Sequence, residues 1–112
     1  MHRRAYGTTI LNKPFDEKTL AAVWERATVV PGADPAQRRK DVCGAWIERE
    51  RYGSTEEGGW EIDHIQAVLN GGSDNLINLQ PLHWQNNRAK ANFYPGQWEP
   101  VVTDGEQELA TA

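Results

Sequence analysis

An imidazole beside a carboxylate, followed at some distance by two side-chain amides, can move a proton next to a bound cation. The 112-residue chain carries such a set in Asp63, His64, Asn78 and Asn87. Phosphodiester cleavage needs an activated water, relief of charge on the phosphorane and help for the leaving oxygen. One neutral imidazole can take the water's proton. One hard divalent cation on oxygen ligands can meet the other two needs. Adjacent residues of a strand point to opposite faces, so Asp63 and His64 can serve one site only where a strand ends or bends. There the carboxylate would hold the ion while the imidazole faces the water. Asn87 would offer a second side-chain oxygen, and Asn78 an amide able to tie two backbone segments around the histidine.

The pattern around these residues predicts strand, turn, strand, helix. Trp60, Ile62 and His64 alternate with Glu61, Asp63 and Ile65, as in a strand. Asn70-Gly71-Gly72-Ser73-Asp74 is a turn, its glycines free to take positive φ. Leu76 to Leu82 can return as a strand, short or at an edge because of Pro81. Trp84 to Asn92 has good helix formers and no breaker before Pro95. Upstream, Asp16 is a good N-cap for an amphipathic helix over 16–28, with Leu20, Val23, Trp24 and Ala27 on its apolar face. Residues 31–37 and 53–59 read as loops. The segment 42–53, VCGAWIERERYG, suits either a short strand or one helical turn.

Residues 60–92 resemble the HNH nuclease motif: an acidic residue with His, a Gly-Gly turn, Asn-Leu, then a helix bearing Asn or His with a following Lys. The matching residues are Asp63-His64, Gly71-Gly72, Asn78-Leu79 and Asn87-Arg88-Ala89-Lys90. Each element alone is weak, but their order and spacing together are specific. The resemblance implies an α+β fold with a ββα-metal hairpin-helix core. It further implies His64 as general base, Asp63 and Asn87 as metal ligands, and Asn78 as the structural middle residue of the catalytic motif. Asn86 is the alternative to Asn87. By the same implication the substrate is DNA, the cofactor Mg²⁺ or Mn²⁺, and the products carry 5′-phosphate and 3′-hydroxyl ends. Many relatives hold a structural zinc with two Cys-x-x-Cys pairs. This chain has Cys43 alone, with His83 and Asn86 where the second pair would lie, so no structural zinc is expected. Trp46, Trp60 and Trp84 are candidates to replace it by packing.

Composition permits this reading without carrying it. The net charge is −4, yet every Lys and Arg precedes residue 91, while Glu99, Asp104, Glu106 and Glu108 fall in the last fourteen positions. Residues 1–97 are therefore formally neutral. Arg88 and Lys90 are candidate phosphate contacts, and Arg38-Arg39-Lys40 a candidate DNA-binding cluster. His83 can touch the metal, contact phosphate or pack. The expected organisation is an arm over 1–15, one nuclease domain over 16–98 with an added N-terminal helix, and a disordered acidic tail over 99–112. The chain would act as a monomer or homodimer, in the cytoplasm, with no membrane partner. Its single cysteine and the lack of an apolar segment behind MHRRAYGTTI both suit that setting. A non-catalytic nucleic-acid-binding module on the same fold is the rival reading.

Overall fold

The computed structural model describes residues 4–103 and has two helices and two small antiparallel sheets. Helix α1 spans Glu17–Trp24, with the Asp16 carboxylate capping the Thr19 N–H. It ends earlier than residue 28, because Thr28 leaves the helix to bridge Lys40. Strand β1 (Arg38–Lys40) pairs with β2 (Trp46–Glu48). The ambiguous segment thus divides, strand first and then a 3₁₀ turn over Arg49–Arg51. Strand β3 (Trp60–His64) pairs with β4 (Leu79–His83), placing Asp63 opposite Gln80 and His64 opposite Leu79. Helix α2 (Trp84–Lys90) follows β4 directly. The returning strand starts at Leu79 because Leu76–Asn78 is a 3₁₀ turn.

Alternation along β3 sets up the site. Trp60 and Ile62 join Leu20, Val23, Trp24, Ala27, Ile47 and Leu79 in the core between α1 and the hairpin. Trp60 is fully buried, its ring 5.3 Å from Trp24 and 4.9 Å from Tyr52, and its indole N–H donates to the Glu48 carbonyl. Burying so much aromatic surface gives a small domain its main cohesion. Glu61 and Asp63, on the other face, meet α2 instead: Glu61 pairs with Arg88, and Asp63 with Lys90. Gly71 has φ +92°, and a Cβ on Gly72 would run into the Gln66 carbonyl, so the turn between the strands requires both glycines.

A hydrogen-bonded clasp joins the two ends of this unit. Asp41 Oδ2 accepts from the His83 backbone N–H and from Asn86 Nδ2, while its Oδ1 accepts from the Cys43 and Ala45 N–H groups. Asn86 in turn accepts from Val101 and Val102 and donates to the Val102 carbonyl. The expected tail therefore begins inside the folded body, and its remainder, 104–112, lies outside the described residues. Of the three tryptophans expected to pack, Trp60 and Trp46 are buried and Trp84 is half-buried, with its N–H on the Glu56 carbonyl.

Candidate active site

The end of β3 opens into a cleft of about 650 Å³ whose lining includes Asp63, His64 and Asn87, together with Arg4, Tyr6 and Ile10 from the N-terminal arm. Ending the strand at His64 lets neighbours that point opposite ways reach one cavity. Asn78 maintains that ending: its Oδ1 accepts from the Gln66 N–H at 2.8 Å, and its Nδ2 donates to the Gln66 and Ser73 carbonyls. It ties the segment after His64 to the turn and does not line the cleft.

Asp63 is buried, and burial holds its carboxyl above the usual carboxylate range against the opposing effect of Lys90 and Gln80. Gln80 Nε2 donates to Oδ2 at 2.9 Å, and the Lys90 ammonium lies 3.3 Å from Oδ1. Asn87 is also buried. Its Nδ2 donates to Glu61 Oε1 at 2.8 Å, which fixes the amide so that Oδ1 remains as acceptor. His64 has its Nε2 2.8 Å from Asp74 Oδ1 and its ring 6.0 Å from that of Phe15. Among the described residues, no three of His, Cys, Asp and Glu converge as a metal-holding group. The oxygen donors at the cleft are a carboxylate and an amide, and these suit a hard divalent cation.

Several other candidates lie elsewhere. Lys90 is buried and donates to the His64 carbonyl at 2.8 Å, so it serves the site from within rather than as a surface phosphate contact. Arg39 is buried too, bonded to the Pro35, Glu25 and Ala27 carbonyls and to the Glu25 carboxylate. That correction removes it from the expected DNA-binding cluster. Arg38 and Lys40 both lie over the Trp46 ring. Arg88 is part-exposed at the cleft's flank, paired with Glu61 and stacked over Tyr6. His83 caps α2: its Nδ1 accepts from the Gln85 N–H, its ring stacks on Trp84, and burial lowers its pKa. In that position it caps and packs against α2 and does not line the cleft.

Sequence reasoning missed Glu61, Asp74 and Arg4. Glu61 stands two residues before Asp63 on one strand face, a spacing that could have flagged it. Asp74 reads as an ordinary turn former, and Arg4 as part of an irregular arm. Residues 42–93 match the family model described as HNH endonuclease. No curated protein and no solved structure matched the chain.

Proposed function

With residues 42–93 matching the HNH endonuclease model, we propose that the protein is a divalent-metal-dependent DNA endonuclease that cuts one strand per engagement. The observation that carries the reading is the meeting of Asp63, His64 and Asn87 in one cleft at the end of β3. His64 accepts the proton of the attacking water. Asp63 and the Asn87 Oδ1 are the ligands for Mg²⁺ or Mn²⁺. A bound cation supplies positive charge for the phosphate and the leaving oxygen. The donor set fits in kind, because Asp63 offers a carboxylate and Asn87 is turned by Glu61 to present oxygen. Glu61 thus acts through Asn87. Arg4 and Arg88 flank the same space and suit phosphate oxygens.

Supercoiled plasmid incubated with the purified protein tests this. Relaxation with Mg²⁺ or Mn²⁺ and none with EDTA is the expected result. Full activity in EDTA would remove the metal. DNA binding without cleavage under any metal would leave the non-catalytic module instead.

A further inference from the structure

The His64 ring is buried and meets a second carboxylate that is not among the expected site residues. Nε2 lies 2.8 Å from Asp74 Oδ1, and an ionised carboxylate only accepts hydrogen bonds. The nitrogen facing it therefore carries the hydrogen, and in a neutral imidazole the lone pair then falls on Nδ1. Asp74 is itself fixed, since the Ile10 backbone N–H donates to both of its oxygens at 3.2 Å. It follows the Gly71-Gly72 turn, which Asn78 ties to the segment after His64. Turn, arm and imidazole are thus joined through one side chain.

We propose that Asp74 is a positioning residue of this cleft: it holds His64 as the Nε2–H tautomer and so assigns Nδ1 as the atom that takes the proton from water. The proposal rests on the endonuclease reading for its catalytic consequence, and on geometry alone for the tautomer. As the proton moves to Nδ1 the ring becomes imidazolium, and the Asp74 carboxylate opposite Nε2 stabilises that charge. The arm gains a purpose from this, because Ile10 restrains the group that restrains the base.

Imidazole ¹⁵N spectra of the metal-free protein at about pH 8.5, where a free imidazole is neutral, read the tautomer directly. His64→Ala identifies which signals belong to His64 among the three histidines of the chain. Wild type should show Nε2 protonated and Nδ1 bare, and Asp74→Asn, which can turn its NH₂ toward Nε2, should lose that preference. In plasmid cleavage, Asp74→Asn should lower kcat by about 10²-fold or more, whereas the same change in a Ser-His-Asp triad costs ~10⁴. KM should stay within about threefold, because a base-positioning group does not bind ground-state DNA. Asp74→Glu, which keeps the carboxylate, should recover part of the loss. A bare Nε2 in wild type, or Asp74→Asn turnover within about threefold of wild type, would overturn the assignment. If wild type cleaves no DNA, the endonuclease reading fails, and the spectra still decide the tautomer.

Discussion

Lys90 lies 3.3 Å from one oxygen of Asp63 and donates to the His64 carbonyl, with both side chains of the ion pair almost fully buried. Its neutralisation is therefore expected to damage the fold as well as the site. Lys90→Met strands a buried carboxylate, which typically costs roughly 3–5 kcal/mol, and urea unfolding in EDTA measures it. Burial raises the Asp63 pKa in the folded protein, and Lys90 opposes that rise. The folded state therefore binds the proton more tightly than the unfolded chain, and the charged form costs stability above the raised pKa. Without Lys90 the value climbs further, so the destabilisation should be largest near neutral pH and shrink as pH falls toward about 4. A deficit independent of pH would mean that Lys90 acts only by packing. His64→Ala should behave differently. On the proposed mechanism the proton acceptor would go and the metal ligands would stay, so the cleavage rate should fall by ~10²–10⁴. Folding should hold, as judged by circular dichroism. A variant keeping more than half the wild-type rate would end the general-base role.

Helix α2, the hairpin and their turn were legible because their residues repeat local rules. Alternation marked β3, two glycines marked a turn that admits no Cβ, and Asp16 marked the start of α1. The Asp63, His64 and Asn87 convergence was legible from motif spacing, although periodicity alone puts the first two on opposite faces. What escaped was long-range. Nothing local ties Ile10 to Asp74, 64 residues away, or Asp41 to Asn86, 45 residues away. Arg39 and Lys90 look like surface cations until the fold surrounds them with acceptors. In the same way nothing local points to Val101 and Val102, which have no periodicity yet complete the Asn86 amide. Deleting residues 101–112 should therefore lower stability by about 1–3 kcal/mol, because the buried Asn86 Oδ1 loses both of its donors while Nδ2 keeps only Asp41. Thermal unfolding tests this, and an unchanged midpoint would show that Asn86 needs no partner from this segment. Asn86→Asp should be worse than the deletion, because it sets a carboxylate against Asp41.

At the scale of the whole molecule, charge and the number of sites decide how the proposed endonuclease would meet and cut DNA. The net charge of −4 gives little general attraction to phosphate, and two cations that could have supplied it, Arg39 and Lys90, are consumed internally. Binding should therefore depend on a few local contacts around the cleft, with Arg4 and Arg88 among them. Each neutralised phosphate contributes ~0.9 to the salt slope, so log K against log salt should be shallower than about −4. A much steeper slope would point to a basic surface formed by association of chains. The described residues hold a single set of Asp63, His64 and Asn87 within a body of 13.5 Å radius of gyration. On the proposed mechanism one imidazole would accept one proton from one water, and one cleft would engage one phosphodiester at a time. Double-strand cleavage by a monomer then requires release or repositioning between cuts, and open-circular plasmid must accumulate before linear product appears. Rates of the first cut should rise in direct proportion to protein concentration. If linear product instead forms without a circular intermediate, and the rate rises with the square of concentration, two chains act together and the unit of cleavage is a dimer.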